Sequence, residues 1–333
     1  VGGWRLRAAT AYTGVPRGII AWEDLSGDRR VGVGSFSNLY STSASGTTTD
    51  ITPAGFTSGT EKAAVNTGFG GGFFGTGYFG TARPDNGNFS EATTWAMDNW
   101  GEYLVACSVS DGKLYEWQLD TSTAAAVIAN APVNNLSLLV SAERFLFALG
   151  AGGNPRKVQW SDRENNTLWT AADTNEAGDF ELQTAGQIMC GLKVRGQSLI
   201  LTDQDAHSAT YQGPPFVYSI ERVGQSCGII SRKAAISVDA GAFWMGQEGF
   251  FSYSGGTVQE LPCDVSDYIF DDINRSQASL IHAVPMAQHG EIWWFYPSGA
   301  SNECDRYVAL DYKEGHWTFG QIDRTCGVGR GVF

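Results

Sequence analysis

One shape recurs six times along this chain, and no other feature limits the fold as strongly. Each copy has a short apolar run, a polar or glycine turn, and a second run that usually ends in an aromatic. The copies pair Val31-Gly-Val-Gly with Leu39-Tyr40, Tyr103-Leu-Val-Ala with Leu114-Tyr115-Glu-Trp117, and Phe145-Leu-Phe-Ala with Val158-Gln-Trp160. Leu199-Ile-Leu then pairs with Thr210-Tyr211, Phe243-Trp-Met with Phe250-Phe-Ser-Tyr253, and Ile292-Trp-Trp-Phe-Tyr296 with Tyr307-Val-Ala-Leu310. The first runs begin at 31, 103, 145, 199, 243 and 292, so four of the five spacings lie near the roughly 40–50 residues of a propeller blade.

Short apolar runs bounded by Gly, Asp, Asn and Ser read as strands, and the turns Ser110-Asp111-Gly112-Lys113, Gly152-Gly153-Asn154-Pro155 and Ser254-Gly255-Gly256 are explicit. A lone hairpin cannot hide its apolar face, whereas blades stacked round a ring bury both faces and leave short edges. The expectation is an all-β β-propeller of about six blades, built over 1–333 as a single domain. Two β-sandwiches in tandem use the same hairpins and are the alternative. The wide first gap holds an inserted Gly/aromatic-rich segment, 54–94. One short helix is expected over Asp264–Arg275, capped by Asp264, with Val265, Tyr268, Ile269 and Ile273 on its apolar face and packed between the fifth and sixth blades.

Composition fits this picture. Only 17% of the 333 residues are charged, while 42 are Gly, 11 Trp, 12 Tyr and 18 Phe. That balance suits strands and tight turns better than long surface helices. The net charge is −13 and the longest basic run is a pair, Arg29-Arg30 or Arg232-Lys233. Sequence-specific DNA binding needs clustered cations, so it is not expected. No stretch approaches the roughly 20 apolar residues of a bilayer span, and no signal peptide opens the chain. Opening on Val1 and ending at Val332-Phe333 as a new apolar run begins, the sequence reads as trimmed from a longer protein.

Within the insertion, Gly68 to Gly80 reads GFGGGFFGTGYFG and contains two formal GxGxxG matches. A dinucleotide site needs a helix next, and Thr81-Ala-Arg-Pro-Asp-Asn-Gly is a loop. Core packing and a protruding contact loop both remain readings. As a contact loop it would offer Phe69, Phe73, Phe74, Tyr78 and Phe79 to a neighbouring subunit.

Trp160-Ser161-Asp162…Trp169-Thr170 is similar to the Asp-box turn of sialidase-type propellers, with wider spacing and no glycine. It reads as a hairpin corner, not a catalytic site. Asp203, Asp205 and His207 alternate and would share a strand face, but no further ligand cluster completes a metal shell, so a polar turn is expected. His282, His289 and His316 lack ligand spacing, and neither GxSxG nor HExxH occurs. No catalytic, cofactor-binding or metal-ligating residue is assigned, and no cofactor is expected. The six cysteines at 107, 190, 227, 263, 304 and 326 have no CxxC spacing and read as buried reduced thiols.

A family resemblance runs through the chain in order. It is carried by Val15-Pro16-Arg17-Gly18, Asp50-Ile51-Thr52-Pro53, Thr94-Trp95…Trp100-Gly101-Glu102-Tyr103-Leu104 and Gly152-Gly153-Asn154-Pro155-Arg156…Trp160-Ser161-Asp162. Ala177-Gly178-Asp179-Phe180, Ala242-Phe243-Trp244-Met245-Gly246, Asp272-Ile273-Asn274-Arg275 and Glu314-Gly315-His316-Trp317 continue it. Together they resemble the tail nozzle proteins of short-tailed bacteriophages, also called tail tubular protein B or DNA-stabilisation proteins. The resemblance implies a non-enzymatic virion structural protein, assembled in the host cytoplasm into a hexameric ring. That ring would bind the head-to-tail adaptor protein and tail fibres or spikes, and DNA would be a passing, non-specific cargo. An acidic lumen would let the duplex slide without a brake. A glycan-acting or carbohydrate-binding propeller is the alternative; such an enzyme should gather Asp, Glu, Arg or Tyr at the propeller's central mouth.

Overall fold

A computed structural model describes residues 6, 8, 10–63 and 90–329. Six four-stranded antiparallel sheets, each an unbroken meander, form a six-bladed β-propeller. Blade 1 is β1 (Pro16–Glu23), β2 (Arg29–Ser35), β3 (Leu39–Ser43) and β4 (Thr48–Asp50). Blade 2 is β5 (Trp95–Trp100), β6 (Tyr103–Ser108), β7 (Leu114–Trp117) and β8 (Ala126–Val127). Blade 3 is β9 (Ser137–Val140), β10 (Leu146–Leu149), β11 (Lys157–Trp160) and β12 (Gly178–Glu181). Blade 4 is β13 (Ile188–Val194), β14 (Gln197–Thr202), β15 (Asp205–Gly213) and β16 (Val217–Gln225). Blade 5 is β17 (Ala235–Val238), β18 (Gly241–Met245), β19 (Phe250–Ser254) and β20 (Thr257–Leu261). Blade 6 is β21 (His282–Met286), β22 (Glu291–Tyr296), β23 (Arg306–Asp311) and β24 (His316–Gln321).

The six paired runs seen in the sequence are the second and third strands of the six blades. These strands are sandwiched between neighbouring blades, so both faces are apolar and the runs are nearly continuous, as in Leu146–Leu149. The tandem-sandwich alternative is excluded by the six separate sheets.

Packing between blades explains the tryptophans. Trp95 of blade 2 is fully buried against blade 1, stacks on Phe56 at 5.1 Å, and donates its indole N–H to Ser35 O at 2.7 Å. Trp294 of blade 6 donates to Ala234 O at 3.0 Å, just ahead of blade 5. Each ring contributes on the order of 4 kcal/mol through buried area, and its one polar atom keeps a partner. Gly34 is required for this contact, because a Cβ there would lie 2.3 Å from Trp95 Cδ1.

The helix is shorter than expected. It spans Ser266–Asp272, with Val265 at its N-cap position and no side-chain cap. Ile269 and Ile273 are buried, but Phe270 points inward onto Phe250 at 5.5 Å. Tyr268 is half exposed against Phe319 of β24. The anticipated face was therefore rotated: the larger apolar ring of Phe270 takes the interior, and the Tyr268 hydroxyl stays outside to accept from Arg306. The helix lies between blades 5 and 6. Asn274 then caps a 3-10 turn, Arg275–Leu280, by accepting from Ser276 N at 3.1 Å.

The backbone of Gly34 is in an ordinary conformation, so substitution there acts through space alone. Gly34→Ala is expected to lower stability by about 1–3 kcal/mol through overpacking, read by urea denaturation. A neutral result would show that the Trp95 contact yields easily.

Candidate functional site at the ring seam and the axial cavity

Every blade is made of four consecutive strands, so among the described residues no strand is shared between the last blade and the first. Closure at that seam rests on side chains. Arg17, at the start of β1, is only 3% exposed. Its Nη1 and Nη2 each donate to the Glu303 carboxylate at 2.8 Å. Its Nε and Nη2 also donate to Glu61 O at 3.2 and 3.0 Å. Glu303 lies between β22 and β23, and Lys62 Nζ approaches it at 3.4 Å. Burial pushes the Glu303 carboxyl up, but the hydrogen bonds and charge of Arg17, with Lys62, outweigh it and hold the group below its ordinary pKa.

The inserted segment is tied to this seam. Thr93 N donates to Thr60 O at 2.8 Å and Thr60 N to Thr93 Oγ1 at 2.9 Å, forming a neck where the segment leaves and returns. Gln277 grips the outgoing chain as a strand would: its Nε2 donates to Ala63 O at 2.9 Å and its Oε1 accepts from Ala63 N at 3.0 Å. On the returning chain, Ala92 N donates to Ser279 Oγ at 3.3 Å, and Glu91 lies 3.5 Å from Arg232 Nε. Phe69, Phe73, Phe74, Tyr78 and Phe79, with the whole Gly68–Gly80 run, lie outside the described residues.

Inner strands from all six blades line an axial cavity of about 300 Å³. Ile20, Met97, Leu138, Leu192 and Ile236 form much of its wall, and Thr325–Val328 turns back beyond β24 to complete it. Its polar side chains include Arg17, Arg232, Lys233 and His282; among the described residues no Asp, Glu or Tyr lines it.

The other sequence candidates are structural. Asp162 N donates to Leu168 O at 2.8 Å, and its Oδ1 accepts from Glu176 N at 2.8 Å. Trp169 is buried nearby, so this is the expected stabilised corner. Asp205 and His207 do share a face of β15, with Nδ1 to Oδ1 at 3.6 Å. Asp203 points elsewhere and accepts from Gln187 N at 2.8 Å. Asp205 accepts from Thr202 Oγ1 at 2.6 Å and Thr184 Oγ1 at 3.0 Å. Burial pulls His207 below its ordinary pKa, against the opposing charge of Asp205. Among the described residues no group of three or more His, Cys, Asp and Glu side chains could hold a metal. Arg17, Gln277 and Glu303 were not anticipated; their partners lie up to 286 residues away, a separation that local spacing does not reveal.

All six cysteines are free. Burial pushes the thiols of Cys107 and Cys190 up to about 12, and those of Cys227 and Cys326 up to about 11.

No family model matches the sequence, and no curated protein resembles it. Among solved structures, a Bacteroides uniformis protein carrying a provisional 6-phosphogluconolactonase assignment is similar at TM-score 0.50 and 11% identity, over 89% of this chain and 80% of that one. Virginiamycin B lyase from Staphylococcus aureus is similar at TM-score 0.49 and 8% identity, over 93% and 85%. At such identities the likeness concerns fold alone: the class is the six-bladed β-propeller.

Two outcomes follow. Glu303→Gln leaves the buried Arg17 charge uncompensated and should cost about 3 kcal/mol, whereas Arg29→Gln at the exposed Glu23 pair should cost less than about 1 kcal/mol. Because the folded pKa of Glu303 is depressed, its contribution is present above the unfolded value near 4.5 and lost as pH falls through the folded one. Urea midpoints measured across that window should converge for wild type and Glu303→Gln; parallel curves would contradict the assignment. Alkylation in mildly alkaline buffer should modify half-buried Cys263 and Cys326 before the four buried thiols in the folded chain, and all six cysteines once it is unfolded. Rapid labelling of Cys107 or Cys190, read by peptide mass, would contradict the burial argument.

Proposed function

We propose that this chain is a non-catalytic structural subunit of a short-tailed bacteriophage tail nozzle. The observation that carries the reading is the ordered set of resembling segments, whose residues act as pins of the propeller. Arg17 clamps the seam. Asp50 accepts from Thr52 N at 2.9 Å, Ile51 is fully buried, and Ala125 N of blade 2 donates to Ile51 O at 3.0 Å. Asp162 builds a blade corner, Trp244 Nε1 donates to Cys227 O at 2.7 Å, and Asp272 pairs with Arg306 at 3.2 Å.

The described lining of the cavity holds no carboxylate pair of the kind a glycan-hydrolysing site uses. It also constrains where DNA would travel. About 300 Å³ holds roughly ten waters, far too little for a duplex. The conduit would therefore lie between subunits of a hexameric ring, lined by acidic surface, with adaptor and fibres or spikes at its faces. The neck at Thr60 and Thr93 would present the inserted segment, with Phe69, Phe73, Phe74, Tyr78 and Phe79, to the adjoining subunit.

Native mass determination should give about six copies. Removing 68–80 should weaken that ring while the released subunit keeps its unfolding midpoint, since the neck is held by its own hydrogen bonds. A wild-type monomer favours a glycan-binding or scaffold propeller. Unfolding of the deletion variant makes the loop part of the core.

A further inference from the structure

The charges around the axial cavity do not cancel. Arg17 is neutralised by Glu303, and Arg232 is balanced in charge by Glu91 at 3.5 Å and donates from Nη1 to Ile188 O at 3.3 Å, although its buried Nε makes no hydrogen bond. Lys233 has no such partner: its Nζ makes no ion pair or hydrogen bond with any described residue, and its half-buried side chain lines the cavity. The thiols of Cys190 and Cys326 lie close enough to sense Lys233, but burial keeps both protonated, so neither supplies a counter-charge.

His282 adds a second unmet group. Lys233 and His282 are paired across the junction of blades 5 and 6, with Ala283 N donating to Lys233 O at 2.8 Å. The imidazole stacks on Phe295 at 5.1 Å and donates from Nδ1 to Leu280 O at 3.1 Å. That bond fixes the neutral tautomer with a lone pair on Nε2, and Nε2 is buried without a partner. Burial favours this uncharged form, pulling the ring's pKa down to about 4.

The cavity thus presents one surplus cation and one surplus acceptor inside apolar walls. An unpaired ammonium at the wall of a cavity attracts an anion, and an orphaned buried acceptor is costly. We propose that the axial cavity is a binding site for a small monoanion that also carries a hydroxyl, with its ionised oxygen on Lys233 Nζ and its O–H donated to His282 Nε2. Dihydrogen phosphate and short hydroxycarboxylates share this chemistry and are small enough for about 300 Å³. A dianion without a hydroxyl would overfill the charge and leave Nε2 unmet.

Calorimetric titration tests this in mildly acidic buffer, with inorganic phosphate and lactate as probes of the two sources and sulfate as control. Saturable binding of phosphate or lactate is expected, with sulfate and the Lys233→Gln variant each weaker by about tenfold or more. Binding that is equal in wild type and Lys233→Gln, or stronger for sulfate, would overturn the proposal, as would no saturable binding of either probe. Should Lys233→Gln fail to fold by circular dichroism, reductive methylation of the wild type decides the matter. The binding probe should slow labelling of Lys233 and leave Lys62 unchanged; unaltered labelling of Lys233 would overturn the site.

Discussion

The bidentate contact between Arg17 and Glu303 joins the first and last blades, which among the described residues share no strand. Blades built entirely from consecutive strands can stack into a ring, but they cannot lock it by sharing a strand. The apolar packing shows the same break. Buried clusters run continuously from blade to blade round the ring, from Trp22 and Trp95 through Val140, Phe147 and Ile200 to Trp244 and Trp294. At the last seam, among the described residues, Val31, Val33 and Tyr40 form one cluster and Leu280, Val284 and Phe295 another. A buried, fully hydrogen-bonded ion pair is directional where apolar contact is not, so it fixes the angle at which the first and last blades meet.

That clamp is also joined to the inserted segment. The carbonyl of Glu61 accepts from Arg17, Lys62 reaches Glu303, and Ala63 is held by Gln277. Three successive residues of the outgoing chain thus contact the closure itself. Through β1 and β21, which line it, the same contacts adjoin the axial cavity. Architecture and cavity are therefore linked through the same few hydrogen bonds.

The sequence revealed the middle of each blade and little else. Second and third strands carry apolar side chains on both faces, and such runs stand out against polar turns. Inner strands such as Ala235–Val238 are short and partly face the cavity. Outer strands such as Thr257–Leu261 are largely exposed and lack an apolar pattern. The rotation of the helix, with Phe270 rather than Tyr268 inside, was set by the neighbouring Phe250 and Arg306, which periodicity does not report. The site was less legible still. Arg232-Lys233 stood out only as adjacent charges, and His282 only as a histidine without ligand spacing. Their pairing depends on blades 5 and 6 meeting in register. The clamp was hidden because its partners lie at opposite ends of the chain.

The claim that side chains of the described residues, with the Arg17 clamp foremost, close this ring is tested most directly by native-state hydrogen exchange on the isolated chain. Amides of β1 and β21 beside the seam should open together, at a free energy clearly below that of β13 and β17, whose blades share the continuous apolar core. Equal protection of β1, β13, β17 and β21 would contradict the account and place the closure in packing rather than in the Arg17 clamp.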